Sequence, residues 1–435
     1  MQQIIHQLRK IIYQLRKIIS LYFIKLALKI ESHKLCALVL LLNFRKYKNI
    51  KHSSRSPKKI LVFNKSGGNE DLITSFSEKN NDIIFYWIPR SLIRVIFGYF
   101  LKSRQDYFTK LNDLNEINKK KLSINFLTIT FRYLGKFKNI DAFISFNVFY
   151  YPEKFFEEVS KNLDKKYIVL HKESALTPIE EERHPSKFQK YNDKSIANNI
   201  SVYSDKMKKI FIQSKIAKSN QIIINGCPRS DYAFKLRKFV PKNDCIIFYL
   251  IETNRYKNNK MQKLLGIKSF TLKKINKQVS KFLVKYAENN PNIKIIFKGK
   301  TGIHKRDDLI KKSLPTNCYF IDGGTGDRYL RNAKVVIAFN STIVFETIAS
   351  NRNLIIPNFN LRNKVNKKLM HKIDNENYYA YSLKDLAKKL SIYMNSRYIN
   401  KKISKLDEKT LKYYLGNTDG KSGERMRKFI IKAIN

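Results

Sequence analysis

Short apolar runs alternate with longer mixed stretches along most of the chain, and this alternation predicts the fold. A strand–turn–helix pattern opens at Lys59, and further runs typical of buried strands lie at 82–88, 141–149, 166–171, 209–214 and 221–226. A second series of such runs lies at 244–250, 292–299, 317–322, 333–339 and 353–359. Helical stretches separate several of the runs, as in parallel βα units. The pattern therefore predicts an α/β protein with two similar halves.

The two halves and their flanks predict four segments. These are a basic amphipathic helical extension and linker at 1–58, Rossmann-like domains at 59–240 and 241–385, and a helical tail at 386–435. We expect the two Rossmann-like domains to face each other across a cleft, with the helical tail packing back on the first of them.

A tandem repeat opens the N-terminal extension, where IIHQLRK at 4–10 is followed by IIYQLRK at 11–17. On a helix its apolar residues share one face, and its cations lie on the other side: Ile4, Leu8, Ile11, Leu15 and Ile18 against Arg9, Lys10, Arg16 and Lys17. A basic amphipathic helix suits an anionic bilayer, so residues 1–30 are predicted to lie on a membrane surface. The alternative is a core-packing or short coiled-coil helix, because the repeat is also heptad-like. No apolar stretch reaches the roughly 20 residues that span a bilayer.

The charge of the chain is extreme, with 86 Lys and Arg against 35 Asp and Glu, a formal net charge of +51. A polyanionic partner such as membrane lipid, nucleic acid or a phosphorylated substrate would account for it. AT-rich codons, which supply Lys, Asn and Ile, would account for it too, and the even spread of lysines favours that explanation. No nucleic-acid motif is present and the aromatic residues fall mostly inside predicted strands, which disfavours nucleic acid as the partner.

The most informative stretch for chemistry is AFNSTIVFETIAS at 338–350, where an apolar run ends abruptly in Asn340, Ser341 and Thr342. It predicts a buried strand followed by a helix that is capped by Asn340 or Ser341. Such turns bind anions, and Glu346 follows one helical turn later, where a carboxylate can accept both hydroxyls of a ribose. The stretch thus predicts a nucleoside diphosphate site at Ser341, Thr342 and Glu346. The alternative is an ordinary capped helix whose Glu346 faces solvent.

Other residues extend this predicted nucleotide site. The Gly-rich loop before it, Gly323, Gly324, Thr325 and Gly326, allows backbone N–H groups to approach a ligand closely. Lys298 and His304 are candidates for balancing the charge of a diphosphate leaving group. No Asp-x-Asp motif stands out, so we expect no essential metal and no cofactor beyond the nucleotide donor itself.

A catalytic base is predicted at the end of the strand at 166–171, where His171 and Glu173 follow the apolar run. Ligands of open α/β sheets bind at the carboxyl ends of strands, and a histidine or a carboxylate can take the proton of an attacking hydroxyl. His171 as a satisfied loop histidine is an equally good interpretation. Glu70 and Asp71, after the first strand, are a rival pair.

Residues 320–359, FIDGGTGDRYLRNAKVVIAFNSTIVFETIASNRNLIIPNF, resemble the donor-binding domain of glycosyltransferases with the GT-B fold. In that family a Ser/Thr pair and a helix glutamate hold the donor nucleotide, which corresponds here to Ser341, Thr342 and Glu346. IINGCPRSD at 223–231 resembles the strand that closes the N-terminal domain in bacterial surface-polysaccharide and CDP-glycerol-type transferases. FKGKTGIHK at 297–305 stands where those proteins carry a basic loop, but lacks their usual His-Pro dipeptide.

The resemblance implies a metal-independent enzyme that takes a sugar from a nucleotide-activated donor. The acceptor it implies is a lipid-linked or cell-surface glycan, as in bacterial capsule synthesis, met from the cytoplasm at the inner face of the membrane. Residues 59–240 would be the acceptor domain and 241–385 the donor domain. A CDP-linked polyol-phosphate transferase of the same fold is the alternative, and a basic nucleic-acid-binding protein is the alternative from another class.

Overall fold

The structure is a computed structural model of the full chain. It describes the following residues: 2–47, 56–77, 82–101, 111, 113–191, 193–241, 244–251, 269–300, 314–323, 326–359, 368, 370–397 and 402–435. Within these residues the chain divides into two units. Unit 1 comprises 1–174, 184–228 and 422–435, and unit 2 comprises 175–183 and 229–421.

The elements of the first half of the chain lead to a seven-stranded sheet in unit 1. They are α1 (Gln2–Lys29), α2 (His33–Leu42), β1 (Arg45–Lys46), β2 (Lys58–Asn64), α3 (Gly68–Phe76), β3 (Ile83–Pro89), α4 (Arg90–Phe100), α5 (Leu114–Phe137), β4 (Ala142–Ser145), α6 (Tyr151–Asn162), β5 (Lys166–Leu170), α7 (Pro178–Tyr191), β6 (Asn199–Val202), α8 (Asp205–Gln213) and β7 (Ile222–Ile224). The strand order is β1-β3-β2-β4-β5-β6-β7. β1 pairs antiparallel with β3, and every other pair is parallel.

Apolar residues on both faces of the sheet in unit 1 explain why its strands are continuous apolar runs. On one face Ile60 and Val62 join a core that also contains Phe76 and, from the C-terminal helix, Phe429 and Ile430. On the other face, buried phenylalanines of β2, β4, α5 and α6 pack edge to face: Phe63, Phe131, Phe143 and Phe156. A parallel sheet that is covered on both faces requires this composition.

One predicted strand of the first half is wrong. The run KIFIQS at 209–214 lies mostly in α8, and the strand of this region is instead β6, at Asn199–Val202. In α8 the buried side chains Met207, Ile210 and Phe211 follow the helical period, while Ile212 is exposed. A six-residue apolar run cannot distinguish the two periods by itself.

The N-terminal repeat is helical, as predicted, and α1 packs with its second half. Ile24, Ala27 and Leu28 are buried, and α1 contacts α2 and α4. Between residues 12 and 22, α1 instead exposes a row of large apolar side chains, which we name the α1 strip: Ile12, Leu15, Ile18, Ile19 and Tyr22, each 53–65% exposed. None of the described helices is both long and apolar enough to cross a membrane.

The second half of the chain contains a six-stranded sheet in unit 2. Its elements are α9 (Asp231–Leu236), β8 (Cys245–Tyr249), α10 (Ser269–Asn289), β9 (Lys294–Lys298), β10 (Cys318–Ile321), a 3₁₀ helix (Asp327–Asn332), β11 (Val335–Ile337), α11 (Ile343–Ala349), β12 (Asn353–Pro357), β13 (Tyr379–Ala380), α12 (Leu383–Asn395), α13 (Lys405–Leu415) and, in unit 1, α14 (Ser422–Ile434). All strand pairs are parallel, in the order β10-β9-β8-β11-β12-β13. The five strands predicted for this half are all present. Two sheets in which every pair except β1 with β3 is parallel confirm the predicted α/β class.

The units differ from the predicted segments at both ends of the chain. Residues 2–47 belong to unit 1, and β1, which lies in the predicted extension and linker, adds a strand to its sheet. Only the end of the predicted tail, 422–435, belongs to unit 1, where α14 contacts α3 and β5. α12 and α13 belong to unit 2, because their apolar sides pack on β12 and α11.

The close packing of Gly68 on Phe146 in unit 1 leads to the first prediction. A Cβ atom at Gly68, the first residue of α3, would overlap the ring of Phe146, which is 1% exposed. Gly68→Ala should therefore lower the free energy of unfolding by roughly 1–3 kcal/mol, the usual cost of overpacking. Urea unfolding followed by the fluorescence of Trp87, the single tryptophan and part of unit 1, measures this.

Gly135→Ala is the matched control for that substitution. Gly135 lies inside α5, and a Cβ atom added there would meet nothing within 4 Å. The exchange should stabilise the helix by up to about 1 kcal/mol. Equal effects of the two substitutions would contradict the close packing of Gly68 on Phe146.

Candidate functional site

The strand order of unit 2 points to one edge of its sheet. From β8 the chain adds β9 and β10 on one side and then returns to add β11, β12 and β13 on the other. Open parallel sheets bind ligands outside the carboxyl ends of the strands at the position where the order reverses. In unit 2 this position lies between the end of β8 at Tyr249 and the end of β11 at Ile337.

The predicted phosphate-binding turn follows β11 directly, at this edge. Asn340 adopts a left-handed conformation with φ 46°, and Ser341 and Thr342 are half-buried. The prediction that Asn340 or Ser341 caps the helix is wrong. Thr342 precedes α11, with helical backbone angles and no capping bond, because the Asn340 side chain instead accepts a 2.9 Å hydrogen bond from the N–H of His371.

Glu346 does not face solvent. It lies in the first turn of α11 and is only 7% exposed. Its carboxylate is close enough to Tyr249, the last residue of β8, to affect the tyrosine's ionisation. Burial raises the pKa of Tyr249 well above its usual value, and Glu346 and Asp327 add to the shift. The interpretation of Glu346 as a solvated helix residue is therefore incorrect.

The end of the Gly-rich loop meets the same edge. The Tyr249 hydroxyl donates a 2.6 Å hydrogen bond to the carbonyl of Gly326. A Cβ at Gly326 would lie 3.0 Å from the Tyr249 ring and 3.3 Å from the side chain of Ile343, which begins α11. Next to it, Asp327 has a buried carboxylate oxygen with no hydrogen-bond partner among the described residues. Tyr249, Gly326, Asp327 and Glu346 thus come together at the reversal of strand order.

The remaining predicted nucleotide residues lie near this group or outside the described chain. Gly323 has a positive φ of 74°, which only glycine adopts at little cost. Lys298 ends the neighbouring strand β9, is 5% exposed, and donates a 2.6 Å hydrogen bond to the Gly299 carbonyl. Burial lowers its pKa, and Asp322 partly opposes this. Gly324, Thr325 and His304 fall outside the described residues.

Two members of the group, Tyr249 and Asp327, were not predicted from the sequence. Tyr249 reads as the end of an apolar strand, and Asp327 as one charge in a polar loop. Only their position in the sequence could have identified them, because each ends or follows an element that reaches the carboxyl edge of the sheet.

The predicted catalytic base His171 lies in the core of unit 1. Its ring is fully buried and makes edge-to-face contacts with Phe149 and Phe211. Burial lowers its pKa to about 4, so the imidazole is neutral at pH 7. Its Nε2 is 3.1 Å from the carbonyl oxygen of Glu173 and must carry the proton, because a carbonyl only accepts.

The Glu173 side chain is the exposed member of this predicted pair. It is 43% exposed and lies 3.5 Å from the ammonium group of Lys172. Burial opposes its ionisation, but the charge of Lys172, with that of Lys65, holds its pKa below the usual range. The rival carboxylates are both engaged, since Glu70 accepts a 2.5 Å hydrogen bond from Gly67 and Asp71 accepts one from Tyr203.

A cavity of about 630 Å³ lies elsewhere in unit 2. It is lined by the first residues of three strands, Cys245, Lys294 and Cys318, together with Tyr329. These are the amino ends of β8, β9 and β10, opposite the edge that carries Glu346. The lining of this cavity holds no carboxylate to recognise a ribose.

No protein-family model and no curated protein matches the sequence. Several solved structures are similar to this chain. A wall teichoic acid polymerase, TagF H548A, aligns with a TM-score of 0.46 and 11% identity over 94% of this chain and 96% of its own. Anabaena HepE in complex with UDP-glucose aligns with a TM-score of 0.40 and 10% identity, over 86% and 99% of the two chains.

A third similar structure is UDP-GlcNAc 2-epimerase from Neisseria meningitidis bound to UDP-GlcNAc. It aligns with a TM-score of 0.42 and 8% identity, over 86% of this chain and 100% of its own. These three TM-scores, 0.40 to 0.46, are too low to assign a function by similarity. A function for this chain therefore has to be argued from its own residues.

The buried imidazole of His171 predicts a pH dependence of stability. Its pKa is about 4 in the folded chain, against about 6.5 for an exposed histidine. As the pH falls from 6.5 to 4, the unfolded chain binds the proton first, so stability decreases by about 1.4 kcal/mol per pH unit from this group. His171→Asn should remove that part of the slope when urea unfolding of unit 1 is followed through Trp87.

Ring resonances from NMR provide the control for that measurement. The His171 signals of the wild-type protein should not move between pH 8 and pH 5. A titration midpoint near 6.5 would show that the imidazole is hydrated, and the buried geometry would then be wrong.

Proposed function

We propose that the chain is a nucleotide-dependent transferase that moves a sugar from a nucleotide-activated donor to a lipid-linked or cell-surface glycan. The observation that carries the proposal is the meeting of Tyr249, Gly326 and the nearly buried Glu346 where the strand order of unit 2 reverses. A buried carboxylate beside a glycine loop is suited to a ligand that offers hydroxyls at one end and phosphates at the other.

The roles of the residues follow from their chemistry. Glu346 accepts hydrogen bonds from the ribose hydroxyls. The Ser341 and Thr342 hydroxyls, which make no hydrogen bond to another described residue, donate to the phosphate oxygens. α11 has only seven residues, so we assign the phosphate contacts to these hydroxyls and to loop N–H groups rather than to the helix dipole. Lys298 would balance charge on the departing diphosphate.

The transfer itself forms one bond and breaks one. The acceptor oxygen bonds to the anomeric carbon of the sugar as the bond from that carbon to the diphosphate breaks, and the electron pair leaves with the nucleotide. The hydroxyl proton goes to a base, for which the exposed, ionised Glu173 is the candidate. His171 then holds the backbone of Glu173 through its Nε2–H rather than taking the proton itself.

Substitution of Glu346 tests the donor site. Glu346→Gln should weaken the binding of UDP or CDP by about ten- to a hundredfold, because charge-assisted hydrogen bonds to the ribose are lost. Glu288→Gln, on the exposed side of α10, removes the same charge and should leave the affinity unchanged. Isothermal titration of both variants and the wild type measures the difference.

Two companion titrations sharpen this test. A 2′-deoxynucleotide should bind the wild type more weakly and lose less on Glu346→Gln, because one shared contact is already missing. Ser341→Ala should weaken diphosphates more than nucleosides. If Glu346→Gln matches Glu288→Gln for every nucleotide, the donor assignment is wrong; uniform, salt-sensitive binding of all polyanions would favour the nucleic-acid alternative.

We also propose that the α1 strip binds an anionic membrane surface. The strip places five large apolar side chains in solvent, and Lys25 and Lys29 lie at its C-terminal end on the same side of the helix. Apolar side chains can insert into a bilayer, and the neighbouring lysines are attracted to anionic lipid headgroups. The overall charge of +51 adds to the attraction.

The membrane proposal is tested by substitutions that keep α1 in place, because deleting the helix would also remove the buried Ile24 and Leu28. Changing Ile12, Leu15 and Ile19 to glutamine should reduce co-sedimentation with anionic vesicles at least tenfold, since each buried apolar side chain contributes about 1.5–3 kcal/mol. The control changes three similarly exposed apolar residues of unit 2: Val240, Ile392 and Leu406. If both triple variants lose co-sedimentation equally, the binding is non-specific charge attraction and the α1 strip is not the membrane-binding surface.

A further inference from the structure

The carboxyl edge of the sheet in unit 1 gathers basic side chains. β2, β4 and β5 are adjacent and parallel, so the residues that follow them come side by side. Lys65 follows β2, Asn147 lies just after β4, and Lys172 follows β5, whose extension is tied to β4 by a 3.3 Å hydrogen bond from the Lys172 N–H to the Phe146 carbonyl.

The ring of Tyr150 contacts two cations of this edge, Lys65 and Arg90. Lys65 Nζ is 4.2 Å and Arg90 Cζ is 4.3 Å from the centre of the Tyr150 ring. Arg90 is paired with Glu153, and Lys172 is 3.5 Å from Glu173. Lys65 has no carboxylate within ion-pair distance in the part of the chain that the structure describes.

The three cations repel one another. Burial lowers the pKa of Lys65, and the charges of Lys172 and Arg90 lower it further, while Glu173 and Glu153 compensate only in part. A half-buried lysine with an unbalanced charge is a costly arrangement that an anion would relieve.

Hydrogen-bond donors without acceptors accompany the charges. Asn147 is 2% exposed, and its side-chain oxygen accepts from the N–H groups of Phe149 at 2.5 Å and Tyr150 at 3.3 Å. This leaves its amide NH₂ buried with no acceptor among the described residues, and the same is true of Nη2 of Arg90. Buried donors of this kind are rare unless a ligand or ordered water completes them.

The nearby start of α3 is already occupied. The Glu70 carboxylate accepts the N–H of Gly67, and Phe146 packs directly on Gly68. An anion at this edge therefore belongs beside Tyr150, between the cations, rather than at the helix terminus.

We propose that Lys65, Arg90 and Lys172, with the amide of Asn147, form a binding site for a phosphate group. Phosphate offers several acceptor oxygens and up to two negative charges, which matches an excess of cations and unpaired N–H donors. In the proposed transferase, this phosphate would belong to the acceptor substrate. That assignment rests on the proposed function, whereas the phosphate site itself does not.

Isothermal titration of the full chain with inorganic phosphate and with sn-glycerol 3-phosphate, at constant ionic strength, tests the site. Lys65→Gln and Lys172→Gln should each weaken phosphate binding about tenfold or more. Lys58→Gln is the matched control, because it removes the same charge from the exposed, opposite end of strand β2 and should leave binding unchanged. Tighter binding of the phosphate ester than of the free ion would identify an organic phosphate as the ligand.

The outcomes separate this site from the donor site. If Lys65→Gln and Lys58→Gln bind phosphate equally, with melting temperatures equal to that of the wild type, the phosphate site is overturned whatever the nucleotides do. Loss of phosphate binding in Lys65→Gln but not in Glu346→Gln supports it, even if Glu346→Gln leaves nucleotide binding intact and so removes the donor assignment.

Discussion

Parallel strand pairing is the constraint on which the candidate sites depend. In a parallel sheet every strand ends at the same edge. Strand pairing alone therefore brings together side chains that are far apart in sequence. In unit 2 this brings Tyr249, at the end of β8, to Glu346, which follows β11 almost a hundred residues later. In unit 1 the same rule brings Lys65 to Lys172. The strand order of each unit therefore sets the position of its candidate site.

Both edges depend on a glycine that packs against an aromatic ring. Gly68 lies against Phe146 in unit 1, and Gly326 lies against Tyr249 in unit 2. The difference is the hydroxyl of Tyr249, which bonds to the Gly326 carbonyl and joins the glycine loop to the central strand. In unit 1 the ring fills the space outright, which leaves the phosphate site to one side. Two similar sheets thus carry different candidate sites through a few loop residues, as expected when function resides in the loops of a common fold.

Much of the fold could be predicted from the sequence because a parallel sheet covered on both faces requires continuous apolar runs, as in the strand that ends at Ile337. The period of a short run is ambiguous, which is why the sequence predicts a strand at 209–214 although the buried residues there follow a helical spacing. The turn after β11 was located correctly, but its cap was not, because the Asn340 side chain is engaged by His371, distant in sequence. The sequence also does not predict the burial of His171 and Glu346, since burial is set by tertiary packing.

The central claim is that a nucleotide binds at the carboxyl edge of the sheet in unit 2, where β8 and β11 end. Hydrogen–deuterium exchange of the full chain with and without saturating UDP or CDP tests it most directly, because a bound ligand slows local opening. The account predicts protection of residues 338–349 and of the end of β8. Protection confined to 318–321, 328, 329 and 332, which line the cavity at the opposite edge, would contradict it.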